Sequence, residues 1–298
     1  MKIIVLGSAA GGGFPQWNCR CPVCRLAWAN DARVSARTQS GLAVSADGLR
    51  WVLFNASPDL RQQILATPAL HPNDLNRSSP IDAVVLTNGE LDHVAGLLAL
   101  REQQPFKLLA TSAIHAALDE NPLFNALNRE VVLRLVLAEG EFVDLSGVRF
   151  KPFRVPGKIP LYQEHGDVAL AQETEHVLGL DIRSATQRFL YVPNCARITP
   201  ALLARMDGAD VLFFDGTTYH DDEMVRLGLS AKTAARMGHV AMEGSGGSLE
   251  QLAGLRIGRR IYIHLNNTNP VLVDGSTERT IVEKAGWELA FDGMELSL

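Results

Sequence analysis

The sequence carries little net charge and has no long apolar run, and each of these features excludes a class of protein. The formal net charge of −5 at pH 7 argues against a nucleic-acid-binding protein that relies on bulk positive charge. No stretch of about 18 apolar residues occurs, so we expect no membrane span. The N-terminal MKIIVLGSAA becomes glycine-rich too soon for a signal peptide. We therefore expect a cytoplasmic protein.

The sequence also lacks low-complexity tracts and a recognisable interdomain linker. Of its 298 residues, 47% are hydrophobic and 20% are charged, which provides a sizeable core and argues against global disorder. Predicted strands and helices alternate along the chain. This pattern favours an α/β fold in a single domain that spans residues 1–298.

Cysteine is scarce, but three of the four cysteines lie within six residues. Cys19, Cys21 and Cys24 form a C-x-C-x2-C pattern, which in a reducing compartment indicates metal rather than disulfides. Three thiolates and one further ligand suit tetrahedral zinc, so the loop at about residues 14–30 is predicted to hold a structural zinc ion. The alternative is a set of free buried thiols. The remote Cys195 is predicted to be a small buried side chain.

The stretch at residues 81–100, IDAVVLTNGELDHVAGLLAL, contains the first candidate site. A β-branched apolar run predicts a buried strand at 81–87, and a helix is predicted at 94–100. The polar loop between them ends in Asp92 and His93, which can both reach one metal ion from a tight turn. The alternative is that Asp92 caps the helix and His93 is an ordinary first-turn residue.

The remaining elements follow from apolar runs, turn residues and caps. Strands are predicted at residues 2–6, 50–55, 107–110, 176–182, 188–192, 210–214, 260–263 and 287–291. The segments 131–136, 141–143 and 148–155 alternate like strands of a second sheet. Helices are predicted after Ser57, at 111–120, at 201–206, from Ser230 through 237, and at 276–285.

Polar residues recur where predicted buried strands end. Asp92 and His93 follow one strand, Asp215 follows a second and His264 follows a third. Such groups converge in space if the strands share a sheet edge. Together they favour a metal or catalytic site, although each of them alone has an ordinary structural explanation.

These residues carry a resemblance to the metallo-β-lactamase superfamily. Its signature after a strand is T-H-x-H-x-D-H, and the corresponding stretch here is Thr87-Asn88-Gly89-Glu90-Leu91-Asp92-His93. The opening GSAAGGGFPQWNCRCPVC, the segment IHLNNTNP and the ending FDGM are similar to one family over essentially the whole chain, the protein B family of pyrroloquinoline quinone (PQQ) biosynthesis. The resemblance implies a four-layer αββα sandwich of two mixed β-sheets flanked by helices.

The departures from the superfamily pattern bear on the metal site. Asn88 and Glu90 stand where two histidines of the first metal site belong, and Asn194 stands where a bridging aspartate belongs. The resemblance leaves Asp92, His93 and His264 as ligands of the second site. Two imidazoles and one carboxylate are the ligand set of non-haem Fe(II) oxygenases.

The resemblance also implies a function. The protein B family is implicated in Fe(II)- and O2-dependent hydroxylation of the tyrosine ring of a Glu–Tyr-derived PQQ precursor, with zinc as a metal that can be present on isolation. One alternative is a non-enzymatic carrier for transport of PQQ or its precursor to the periplasm. Another is a zinc-dependent hydrolase. The partners considered are PQQ or its precursor, other PQQ-pathway proteins and a second copy of the chain in a homodimer.

The resemblance also implies roles for other residues: His239 aligns with a superfamily histidine that serves the substrate or leaving group, and Glu90 and Asp215 are candidates for completing the metal's ligands or orienting a ligand histidine. His239, Asp215 and Glu90 are the candidate catalytic residues, and the alternative for His239 is a histidine that interacts with a helix dipole. Asn266 and Asn269 are candidates for binding substrate carboxylates or, alternatively, for shaping the site. Asn267 lies where related phosphodiesterases supply a histidine as the fourth zinc ligand, which makes it the candidate fourth ligand beside the three cysteines.

Overall fold

The computed structural model describes residues 1–74 and 76–298, and in these residues fourteen strands form two seven-stranded sheets. The first sheet consists of β1 (Lys2–Gly7), β2 (Gly41–Ser45), β3 (Trp51–Phe54), β4 (Ile81–Val85), β5 (Phe106–Ala110), β6 (Val132–Val136) and β14 (Glu295–Ser297). The second consists of β7 (Val143–Leu145), β8 (Val148–Gly157), β9 (Gln172–Arg183), β10 (Arg188–Val192), β11 (Val211–Asp215), β12 (Arg259–Ile263) and β13 (Trp287–Leu289).

The two sheets have the same internal plan. Their strand orders are β14-β1-β2-β3-β4-β5-β6 and β13-β12-β11-β10-β9-β8-β7. In the first sheet β14, β1, β2 and β3 pair antiparallel, and β3 to β6 pair parallel. In the second sheet β7 to β10 pair antiparallel, and β10 to β13 pair parallel. Parallel neighbours end at the same edge, so each sheet gathers its strand-end loops on one side.

Helices cover the outer faces of both sheets. They are α1 (Pro22–Trp28), α2 (Leu60–Ala66), α3 (Leu91–Val94), α4 (Ser112–Asp119), α5 (Pro200–Met206), α6 (Glu223–Arg226), α7 (Ala234–Met237), α8 (Ser248–Gln251) and α9 (Thr277–Lys284). Short 3₁₀ helices also occur, and one of them, Ala95–Leu100, directly follows α3. The predicted four-layer sandwich of two mixed sheets flanked by helices is confirmed.

Alternation along the strands explains the layers. In β3, Val52 and Phe54 belong to the core between the sheets, whereas Leu53 belongs to the core under the outer helices of the first sheet. Successive side chains of a strand point to opposite faces, so a strand that is apolar throughout is buried on both faces. No helix among the described residues is both long and apolar enough to cross a membrane.

The strand predictions from sequence were wrong for one sheet assignment and for two strands. The segment 131–136 was assigned to the second sheet, but β6 pairs parallel with β5 at the edge of the first sheet. Alternation reports which faces are buried and contains no information about the partner strand. Strands β2 and β14 were missed altogether, because their sequences GLAVS and ELS contain only one β-branched residue between them and no aromatic residue.

Two predicted helix caps were also wrong. The residue that precedes α2 is Asp59 rather than Ser57, and the hydroxyl of Ser57 instead donates to Gln63 Oε1 at 3.2 Å. The cap of α7 is Thr233 rather than Ser230, because its side chain accepts from the backbone N–H of Arg236. Both segments contain more than one residue with good capping chemistry, and packing selects between them.

Candidate active site

Asp92 and His93 lie in the first turn of α3, immediately beyond β4. The helix begins at Leu91, earlier than predicted, and its cap position is Glu90, which makes no side-chain capping hydrogen bond. Asp92 is therefore not the cap of the helix, and its carboxylate is available to other groups. His93 is fully buried.

His264 follows β12. We call Asp92, His93 and His264 the ligand group. Its φ of +62° is in the left-handed region, which a residue with a side chain rarely adopts, so the surrounding structure holds it in a strained conformation. His264 Nε2 lies 2.9 Å from Asp92 Oδ2. One donor atom from each of Asp92, His93 and His264 lies within 4.8 Å of the other two, a geometry in which they can hold one metal ion. His93 Nε2 is buried and has no hydrogen-bond partner, so its lone pair is free for such an ion.

Asn88 sets the orientation and tautomer of His93. The Asn88 amide nitrogen donates to Asn194 Oδ1 at 2.7 Å, which turns Asn88 Oδ1 toward His93 Nδ1, also at 2.7 Å. Because a carbonyl oxygen can only accept, Nδ1 of His93 carries the proton and Nε2 does not. Asn88 stands where the superfamily pattern has a histidine, and in this chain it accepts a hydrogen bond from the Nδ1–H of His93.

Thr217 orients His264 and His239 in the same way, through hydrogen bonds to the Nδ1 atom of each ring. Its hydroxyl donates to Asp215 Oδ1 at 2.7 Å and accepts from His264 Nδ1 at 2.8 Å and from His239 Nδ1 at 3.0 Å. His239 Nδ1 also lies 2.7 Å from Asp215 Oδ2. Cys195 N donates to the same Oδ2 at 2.8 Å. The backbone N–H of Thr217 also donates to Asp215 Oδ1, at 3.0 Å. Asp215 is thus occupied by four donors, and it orients His239 rather than offering a free oxygen to a metal.

Burial and charge act in opposite directions on the ligand group. Burial alone would raise the pKa of Asp92, but the charge of His93 and the hydrogen bond from His264 outweigh it and hold this pKa below its usual range. Desolvation lowers the pKa of His93 to about 4. Desolvation also opposes protonation of His264, yet its hydrogen bond to Asp92 raises its pKa. A carboxylate and a neutral imidazole are the protonation states that metal binding requires.

The ligand group opens into a cavity of about 690 Å³. Asp92, His239 and His264 line it, and so do Glu90 and Asn266. A volume in this range suits a small-molecule substrate. The walls are contributed by the strand ends of both sheets, so the site exists only where the two halves of the sandwich meet.

One wall of the cavity is a segment that follows β8. Lys158 Nζ lies 2.7 Å from Glu90 Oε1 and 3.0 Å from Glu164 Oε1, and Tyr162 donates to Gly89 O at 2.8 Å. Arg236 adds a second cation on Glu164 at 2.8 Å. We call residues 158–164 the covering segment. The proline, glycine and mixed charges of residues 156–168 predict either a lid loop over a pocket or a connector, and this arrangement fits the lid.

Not every predicted site residue reaches the cavity. Asn269 is fully buried, its amide donates to Gly216 O at 3.0 Å, and its oxygen accepts from Val271 N at 3.1 Å, so it shapes the loop instead of facing a substrate. Asn266 lines the cavity. Glu90 lines it as well, but its carboxylate accepts from Lys158 and from Leu161 N and is not within the ligand group.

The three clustered cysteines come together as the spacing predicted. Cys19, Cys21 and Cys24 are buried, and their sulfur atoms lie within 4.8 Å of one another. A hydrogen bond from Cys21 lowers the pKa of Cys24 to about 6, and sharing that bond raises the pKa of Cys21. Asn267 Nδ2 lies 3.3 Å from Cys24 Sγ, and Asn267 Oδ1 is buried without a partner. Cys195 is remote from this group and buried.

Sequence reasoning missed several residues that surround the ligands. The sequence pattern assigns no site role to Thr217, which lies in a strand-end turn, or to Lys158 and Tyr162, which lie in a loop of mixed charge. Their partners lie far along the chain, 47 positions away for the Thr217–His264 contact. The one available signal was the run Asp215-Gly216-Thr217 at a strand exit, which placed a hydroxyl beside a predicted site residue.

Comparison with known proteins identifies the superfamily and close relatives. A model described as the β-lactamase superfamily domain matches residues 50–265. The coenzyme PQQ synthesis protein B of Methylobacterium nodulans is 55% identical, and that of Methylobacterium sp. (strain 4-46) is 56% identical, each with full coverage of both chains.

Solved structures agree with this placement. Zn(2+)-bound PqqB from Methylobacterium extorquens superimposes with a TM-score of 0.98 at 52% identity, and each chain is covered completely. A diphosphatase from the PhnP family superimposes with a TM-score of 0.71 at 23% identity, covering 99% of this chain and 96% of the other. At that identity the second similarity concerns the fold alone.

Proposed function

Because the chain belongs to the coenzyme PQQ synthesis protein B family, we propose that it acts in PQQ biosynthesis as an Fe(II)- and O2-dependent hydroxylase of the tyrosine ring of a Glu–Tyr-derived precursor. The observation that supports this most directly is the group of Asp92, His93 and His264 at the base of a substrate-sized cavity. Two imidazoles and one carboxylate are typical of non-haem iron sites that activate O2.

The donor set suits a single metal ion. Asp92, His93 and His264 would hold it, and the orphaned His93 Nε2 is the clearest sign that the pocket is built for a cation. When bound, Fe(II) supplies the redox chemistry that lets O2 react with an aromatic ring. Asn88 Oδ1 and Thr217 Oγ1 accept from the Nδ1–H groups of His93 and His264, which leaves each Nε2 to face the ion. His264 Nε2 lies 2.9 Å from Asp92 Oδ2 and would release the proton that it donates to that carboxylate when the ion binds.

His239 is the proposed acid–base residue. Its Nδ1–H is held by Asp215, so Nε2 is the unprotonated nitrogen on the cavity side. From there it can take the proton of a substrate phenol and return it after the ring has been oxygenated. The covering segment and Glu90 cover one side of the cavity, which limits the access of bulk water to the reacting ring.

Two-metal hydrolysis fits this arrangement poorly. Of the three candidate metal groups among residues 1–74 and 76–298, the two beside the cavity share His264, and the third is the cysteine cluster. The oxygens of Asp215 are already engaged by four donors. A dinuclear centre needs enough free ligand atoms for both ions, but here the two candidate groups share His264 and the Asp215 oxygens already accept hydrogen bonds.

The proposal is tested by anaerobic reconstitution with Fe(II), followed by addition of the precursor diamino acid, a two-electron reductant and ¹⁸O2. We expect ¹⁸O in the ring product, and we expect zinc-loaded protein and the Asp92→Ala and His93→Ala variants to lose this activity. Equal turnover with zinc would contradict the proposal. Tight binding of PQQ or its precursor without oxygen consumption would favour the carrier instead.

A further inference from the structure

The cavity contains two lysines, and only one of them is neutralised. Lys158 is paired with Glu90 and Glu164, and its side chain is 8% exposed. The ammonium group of Lys232 has neither an ion pair nor a hydrogen bond among the described residues, and only its backbone N–H is engaged, by Ser230 Oγ at 3.1 Å. Lys232 lies in the loop just before α7, the helix that leads into His239.

His176 presents an unused donor from β9, a different wall of the cavity. Its Nδ1 is buried and has no partner, so no acceptor is available to stabilise a proton there. The proton therefore belongs on Nε2, the ring nitrogen that is neither buried nor hydrogen-bonded to any described residue. Desolvation lowers the pKa of His176, which keeps the ring neutral and leaves this single N–H as a donor.

The charges of the cavity leave one cation unbalanced. Glu90 is balanced by Lys158, and the Asp92 carboxylate faces His264 in the ligand group. Lys232 has no such counterpart, and a metal ion on the ligand group would add further positive charge. A cavity of this kind recognises an anion, and a carboxylate oxygen suits both an ammonium group and a single imidazole N–H.

We propose that Lys232 and the Nε2–H of His176 bind carboxylate groups of the substrate and so make the cavity specific for a small polycarboxylate. The identity of that polycarboxylate rests on the proposed function, because a diamino acid derived from Glu and Tyr carries several carboxylates. The carboxylate subsite itself does not depend on the hydroxylation step. Neither residue touches the ligand group, so their role is substrate recognition.

A ligand-by-variant comparison tests this subsite by calorimetry on zinc-loaded, full-length protein. The two ligands are the free diamino acid and its fully methyl-esterified form, and the two variants are Lys232→Met and His176→Phe. We expect each variant to weaken binding of the free acid by roughly 10- to 100-fold and to leave binding of the ester nearly unchanged. Lys232→Arg and His176→Gln retain a donor and should recover part of the affinity.

Matched controls separate this effect from charge and stability. Lys284→Met and His71→Phe make the same changes at exposed positions outside the cavity, and they should bind both ligands like the parent protein. Thermal unfolding shows whether each variant is folded. If the variants weaken acid and ester equally, or bind the acid as the parent does, the proposal is wrong. If the variants weaken binding of the acid but not of the ester, and the ¹⁸O2 experiment gives no hydroxylated product, the carboxylate subsite is supported and only the proposed reaction is rejected.

Discussion

Asn88 Oδ1 lies 2.7 Å from His93 Nδ1, and the second bond of Asn88, to Asn194, fixes which of its side-chain atoms faces the histidine. A residue in the position of a superfamily metal ligand thus orients another ligand.

Replacing Asn88 with Ala should weaken metal binding by about 10- to 100-fold, because His93 would lose the acceptor that keeps Nε2 unprotonated. Competition with a chromophoric chelator measures the affinity directly. Asn125→Ala, at an exposed position in a 3₁₀ turn, is the matched control. Unchanged affinity in Asn88→Ala would show that packing alone orients His93.

Replacing Thr217 with Val removes a hydroxyl that serves Asp215, His264 and His239 at once. Since the partners are buried, we expect the free energy of unfolding of metal-free protein to fall by about 1–3 kcal/mol. Urea denaturation measures the change, and Thr186→Val on an exposed turn should leave it within about 0.5 kcal/mol. A stable Thr217→Val variant would argue that a water replaces the hydroxyl.

Glu164 should make stability depend on pH in the acid range. Its hydrogen bond from Arg236, with further help from Lys158, lowers its pKa from 4.5 to about 2. A depressed carboxylate pKa stabilises the folded protein above the unfolded-state pKa, and this contribution disappears as the pH falls toward the folded-state value. The stability difference between the parent and Glu164→Gln should be constant above pH 5 and shrink between about pH 4.5 and 2.

The measurement is urea denaturation at a series of pH values. Glu130→Gln is the control, because Glu130 is exposed and its side chain has no partner among the described residues. A difference that persists unchanged to pH 2 would show that the ion pairs at Glu164 contribute nothing to stability.

We predict one zinc ion at the cysteine cluster and a second ion at Asp92, His93 and His264. Cys24→Ser should lose only the zinc ion and lower the melting temperature, because closed cysteine sites contribute folding energy directly. Metal analysis by mass spectrometry, before and after dialysis against a chelator, counts the ions. Cys195→Ala, remote from the cluster, should retain both. Asn267→Ala tests the fourth ligand, and full zinc retention in that variant would exclude its side chain.

Residues along the chain were sufficient to predict the strands with continuous apolar runs, the cysteine cluster and the gathering of Asp92, His93, Asp215 and His264 at strand ends, and the resemblance to the superfamily selected Asp92, His93 and His264 from that group. Each of these predictions depends on a short stretch of sequence: a hydrophobic period, a ligand spacing or a polar residue at the end of a strand. Only the tertiary structure decided that β6 joins the first sheet, that Asn269 faces away from the cavity, and that Asn88 and Thr217 hold the histidines. Those outcomes depend on contacts between residues up to 106 positions apart along the chain, and local propensity contains no information about such contacts.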